Sequence, residues 1–184
     1  LPDSFRRLVD GETLRIGDHD WRVVVGRGHS PEHACLVCES LDLMISGDQV
    51  LPTISSNVSV HPTEPDADPL GEWMASLQHL RDTLPDSLLV LPAHGLPFRG
   101  LHARLDRLSQ GHHRGLNRLL RSLAEPRRVV DCFGALFARS IAERSETYGL
   151  ATGESAAHLN YLHRRGRVQR HLDDDGAWRY QASA

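Results

Sequence analysis

Lysine is absent from the 184-residue sequence, so each of its 21 fixed cations is an arginine guanidinium. Cysteine is scarce: Cys35, Cys38 and Cys132 are too few for the disulfide framework of a small secreted scaffold. No apolar run approaches the roughly 18 residues of a membrane-spanning helix, which excludes that class of membrane protein. No secretory leader pattern opens the chain; with so few cysteines this predicts a reducing, cytoplasmic setting and no membrane partner. Internal repeats and low-complexity tracts are also missing. The first residue is Leu1 rather than methionine, as expected of a processed or trimmed product.

What is present suits an ordinary globular protein, with 40% hydrophobic and 24% charged residues. The charge is unevenly placed. Residues 1–97 hold 6 arginines against 15 acids, a balance of −9, and residues 98–184 hold 15 arginines against 9 acids, a balance of +6. Such asymmetry predicts two modules, 1–97 and 98–184. An acidic module suits a metal and a basic one suits an anionic partner, although a solvated helical face also explains the arginines.

The first module reads as mixed α/β. Leu1–Leu8 looks like the end of a helix. Short β-rich runs at Glu12–Ile16 and Trp21–Val25 flank a turn at Gly17-Asp18-His19-Asp20, and further strands are expected at Ala34–Glu39, Leu43–Ser46 and Leu88–Leu91. Four prolines and many small polar residues make 51–70 a long surface loop. Trp73, Leu77, Leu80 and Leu84 recur at helical spacing over Leu70–Leu84. In the second module a linking helix spans about 99–124, interrupted near Gly111 and Gly115, with further helices at Val129–Ile141 and Glu154–Arg165. Two strands then surround the polar tip Asp173-Asp174-Asp175-Gly176. Three helices and a hairpin are the outline of a winged helix.

The chemistry-bearing residues are His29, Asp48 and His94, each where a strand ends in a glycine-bearing loop. Imidazole and carboxylate are the usual ligands of zinc and also suit iron and manganese. A carboxylate shared by two cations lets both act on one water and one carbonyl. The local words sharpen this. Gly28-His29-Ser30-Pro31-Glu32-His33 resembles the Gly-His-Thr-Pro-Gly-His loop of the metallo-β-lactamase superfamily, as in its glyoxalase II-like thioesterases. Ile45-Ser46-Gly47-Asp48 resembles the hydrophobic-x-Gly-Asp of that superfamily, and Leu91-Pro92-Ala93-His94-Gly95 its Pro-x-His-Gly loop.

This resemblance, over roughly residues 8–97, implies the C-terminal half of an αββα sandwich. It also implies two divalent metal ions, zinc first, with iron or manganese as alternatives. His29 would bind one metal, Asp48 would bridge and act in catalysis, and His94 would bind the other. The implied parent is a dinuclear metal-dependent hydrolase of an ester-type bond in a small-molecule substrate, a thioester above all. The sequence departs from the pattern twice. Glu32 stands where a small residue is usual, and the His-x-His-x-Asp-His signature that supplies most ligands is missing, so the chain is expected to be an inactive fragment.

Asp18-His19-Asp20 reads as a surface turn, His33 as a neighbour of the ligands, and His61 and His79 as solvated. Cys35 and Cys38 fall on opposite faces of a strand and read as buried structure. The tail resembles the winged-helix domain appended to one branch of these hydrolases, carried by His113-Arg114, Ala157-His158-Leu159 with Leu162, and Gly166-Arg167-Val168. Its Arg164, Arg165, Arg167 and Arg170 suit phosphates. The alternative function is therefore a winged-helix nucleic-acid-binding protein or a ribonuclease of the same fold, and homodimerisation is also expected of an exposed half-sandwich.

Overall fold

The computed structural model describes residues 4–138, 140–141 and 146–183. Its strands and helices divide into two compact units, the first comprising 1–56 with 76–106 and the second 57–75 with 107–184.

The first unit is built on a five-stranded sheet in sequential order: β1 (Thr13–Ile16), β2 (His19–Gly26), β3 (His33–Cys38), β4 (Leu43–Gly47) and β5 (Leu89–Pro92). β1 to β4 pair antiparallel, and β4 to β5 is parallel. A parallel pair needs a crossover between its strands, and the connection from β4 to β5 contains helix α1 (Pro69–Thr83). Between β3 and β4 lies a short 3-10 turn, Glu39–Leu41, closed by Asp42 at φ 53. Ser87 and Arg99 both hydrogen-bond the Asp42 carboxylate and hold it below the usual range.

Residues 4–8 lack regular structure, which corrects the helix end expected over Leu1–Leu8, and residues 1–3 lie outside the described residues. The chain then runs beside β2, where Val25 donates to Asp10 and Gly11 donates to the Val23 carbonyl.

Register assigns the sheet two unlike faces. Val24, Cys35, Val37, Met44 and Val90 share one face and are all buried. The other carries Val23, Leu36, Ile45 and Leu91 in a row, with Leu14, Trp21, Leu43 and Leu89 beside them. Ile45 is 40% exposed, and Leu14, Leu36, Leu43, Leu89 and Leu91 are half-buried. An apolar face left partly wet favours association.

The second unit gathers helix α2 (Leu101–Ser122) from Arg107 onward, α3 (Phe133–Leu136), α4 (Glu146–Arg164) and a hairpin of β6 (Val168–Leu172) and β7 (Trp178–Ala182). α2 is unbroken at Gly111 and Gly115, contrary to the expected interruption. A mid-helix glycine costs only about 1 kcal/mol, which the buried Leu108, Leu116, Leu119 and Leu123 outweigh. The single helix expected at Val129–Ile141 is a 3-10 turn, Val129–Cys132, followed by α3, and Phe137 is extended. Arg118 takes the Ala135 and Leu136 carbonyls that a longer helix would use, and residue 139 lies outside the described residues. α4 begins at Glu146, eight residues before the expected Glu154.

Part of the long loop is fixed to α4. Asn57 donates to Glu154 at 3.0 Å, Asn160 donates to the Pro65 and Ala67 carbonyls, and Arg165 pairs with Asp68 at 2.9 Å. Arg164 donates to the Asp66 carbonyl and Arg170 pairs with its carboxylate. Of the four arginines expected to suit phosphates, three are thus engaged within this unit.

Its core also holds imidazoles. His112 and His158 are buried with their ring nitrogens 3.4 Å apart, and His158 Nδ1 donates to the Glu154 carbonyl. Burial lowers His112 to about 3 and His158 to about 4, and it raises Glu154 to about 7.

Two outcomes follow. The 184-residue chain should scatter light as more than a 20.5 kDa monomer, and Ile45→Glu should shift it toward that mass. A parent chain already monomeric at high concentration would show that the half-buried face recruits no partner. For Glu154, a folded-state value above the unfolded one means stability present at acid pH and lost between about 4.5 and 7. Glu154→Gln should therefore raise the melting temperature at pH 8 and leave it unchanged at pH 4.5. The two histidines run the other way, with stability falling as pH drops below about 6.5. A calorimetric pH series on parent and variant separates the two effects.

Candidate metal centre

All three candidate ligands come from one end of the sheet because of its topology. β2 is antiparallel to β3 and β3 to β4, so the β2–β3 loop lies at the same end as the C-terminus of β4. β5 is parallel to β4 and ends there too. His29 stands in the first loop, Asp48 just beyond β4 and His94 just beyond β5. Phe98 returns to pair with Val90, so His94 sits within a closed loop.

The Asp48 carboxylate turns one oxygen to each histidine. Oδ2 lies 3.8 Å from His29 Nε2 and Oδ1 lies 3.5 Å from His94 Nε2. Both distances exceed the ordinary N–H···O range of about 2.7–3.2 Å. They approach the separation, about 3.3–3.6 Å, of two ligands each about 2.0–2.2 Å from one tetrahedral metal. The donor set, two imidazoles on opposite oxygens of one carboxylate, therefore fits a bridged pair of divalent ions. It gives each ion two donors, and among the described residues no three His, Cys, Asp or Glu side chains are grouped to hold one ion. The His94 side chain is 69% exposed, against 31% for Asp48 and 29% for His29.

The loop behind the carboxylate is braced on every side. The Asp48 amide donates to His33 Nε2 at 3.2 Å, so that nitrogen is the acceptor and is not free for a metal. Burial holds His33 below its usual value, with His29 adding to the effect and Asp48 and a backbone hydrogen bond at Ser46 opposing it. Ser56 donates to the Asp48 carbonyl, and Ser46 donates to the Val50 carbonyl at 2.8 Å. The buried Arg104 guanidinium donates to the Leu51 and Ile54 carbonyls at 2.5 and 2.7 Å. Neither Arg104 nor Gln49 stands out in the sequence. Gln49 is fully buried against the Gly26 backbone, where a Cβ would overlap its Cδ.

Glu32, the departure from the expected loop, turns its carboxylate to Arg7 and Arg27 at 2.5 and 3.6 Å. Arg7 is the main cause of its lowered pKa. Asp20 pairs with Arg15, and His19 Nδ1 meets the Ser40 hydroxyl at 3.1 Å. Cys35 and Cys38 are free thiols buried in the sheet, and burial pushes Cys35 up to about 12. His61 and His79 are exposed.

Gly47 carries φ 53, and a Cβ there would overlap His33 Nε2. Gly47→Ala should lower the melting temperature by the equivalent of roughly 1–3 kcal/mol. If contact with the imidazole is the main cause, adding His33→Ala should recover part of that loss in a double-mutant cycle. Additive losses would place the whole cost in the backbone.

Comparison with known proteins bears on the fold. Residues 116–183 match the family model described as "Metallo-beta-lactamase-like, C-terminal domain". A beta-lactamase domain protein from Burkholderia ambifaria is 41% identical, with TM-score 0.93, over 100% of this chain and 54% of its own. A metallo-beta-lactamase family protein from Thermus thermophilus is 27% identical, with TM-score 0.84, over 99% of this chain and 56% of its own. The atrochrysone carboxyl ACP thioesterase of Aspergillus fumigatus is 34% identical over 54% of this chain and 21% of its own length. The chain thus has the mixed α/β fold of the matching part of metallo-β-lactamase-fold proteins, and it spans about half or less of the relatives it matches.

Proposed function

We propose that this chain supplies the bridging carboxylate and one outer ligand per metal to the two-metal site of an acyl thioester hydrolase. The supporting observation is the Asp48 carboxylate, with one oxygen toward His29 and the other toward His94. Bound divalent ions would supply an activated water and polarise the scissile carbonyl. The chain's own residues do the rest. Asp48 holds both sites at a fixed separation, and its braced loop keeps the carboxylate from swinging into solvent. His94, the most exposed of the three, stands where a substrate enters. Catalytic zinc uses three protein ligands per ion, and this chain offers two, so it holds the site incompletely.

A thioester is favoured among ester-type bonds because relatives are named as carrier-protein thioesterases. We read the C-terminal unit as a winged-helix-like module serving that hydrolase. Nucleic-acid binding through Arg164, Arg165 and Arg170 has less support, since these guanidiniums already meet Asp66 and Asp68.

The test uses the 184-residue chain and the whole protein in which the segment occurs, each with zinc, manganese or iron. The short chain should bind zinc weakly and show negligible turnover. The whole protein should hydrolyse S-acyl-N-acetylcysteamine thioesters in a chelator-sensitive manner, and Asp48→Ala should reduce the rate by at least about 100-fold. Robust chelator-sensitive turnover by the short chain would overturn the ligand count, and turnover of phosphodiesters alone would overturn the thioester assignment.

A further inference from the structure

Several arginines of the second unit are neutralised within it: Arg128 meets Asp131, Arg165 meets Asp68, Arg170 meets Asp66, and Arg179 meets Asp173 and Asp175. Those of α2 from Arg107 onward are not. Arg107, Arg114, Arg118 and Arg121 are exposed, and residues 107–122 of the helix contain no acid. Arg118 donates to two backbone carbonyls, and among the described residues Arg107, Arg114 and Arg121 meet no carboxylate. At about 100° per residue the four fall within an arc of about 60°, and at about 1.5 Å rise they span about 21 Å. The opposite side is the buried row of Leu108, His112, Leu116 and Leu119.

We propose that this stripe docks an acidic helix of an acyl carrier protein, a partner that rests on the thioesterase reading above. A straight row of guanidiniums about four turns long matches carboxylates repeated along one helix face, and the planar forks of Arg107, Arg114 and Arg121 can each bind a carboxylate through two hydrogen bonds. A nucleic acid fits less well. The stripe offers no aromatic ring on which bases could stack.

The experiment measures fluorescence anisotropy of a labelled holo acyl carrier protein titrated with the 184-residue chain at low and at high salt. Salt should weaken binding, and Arg107→Glu with Arg114→Glu and Arg121→Glu should weaken it at least about tenfold. Arg15→Glu on β1, which removes the same charge per site, should leave it unchanged. Circular dichroism establishes that the triple variant is folded, and a carrier whose acidic helix is changed from Glu to Lys should bind that variant better than it binds the parent. Carrier binding indifferent to the triple change overturns the proposal. So does capture of a labelled 20-nucleotide RNA by the stripe with no carrier binding. Binding is read without turnover, so docking and thioester hydrolysis fail separately.

Discussion

The Asp48 amide donates to His33 Nε2, and the geometry of the candidate centre depends on that bond. A carboxylate one residue past a strand end is normally free to follow its loop. Here the left-handed Gly47 turns the chain against the His33 ring, and the imidazole takes the amide that the strand no longer pairs. The carbonyl side is held by Ser56, and the loop beyond it by Arg104. Asp48 is therefore fixed at its backbone. Its two oxygens can then face His29 and His94 at more than hydrogen-bonding distance.

Much of this was legible in the sequence, and the reason is local. β-Rich runs bounded by turn residues mark the strands, and a parallel β4–β5 pair separated by a helix follows from their order. Once the strands are placed, the ends carrying His29, Asp48 and His94 fall together. The braces were not legible. Arg104 reads as one more arginine on an amphipathic helix, yet its guanidinium lies buried against two carbonyls some 50 residues away. Gln49 reads as an ordinary loop residue until Gly26 is seen beneath it. The expected break in α2 failed where Gly111 and Gly115 misled. There, burial of the flanking residues outweighs a weak local preference.

The core of the second unit holds uncharged ionisable groups. His112 and His158 stay neutral because burial removes the water that would solvate their cations, and Glu154 keeps its proton into the neutral range for the same reason. The sequence shows these residues without their environment. Asn57, which contributes the amide beside Glu154, comes from the first half of the long loop.

That loop sets a timetable for synthesis. Asn57, Asp66 and Asp68 find their partners in Glu154, Arg164, Arg165 and Arg170, roughly 100 residues later in the chain. At a ribosomal rate of about 5–20 residues per second, they wait on the order of 5–20 s before those partners are made. During that interval β1 to β4 have already emerged, while the 57–68 stretch lacks those later partners. A nascent chain paused before Glu154 should thus be cut there by protease, and a completed one should be protected.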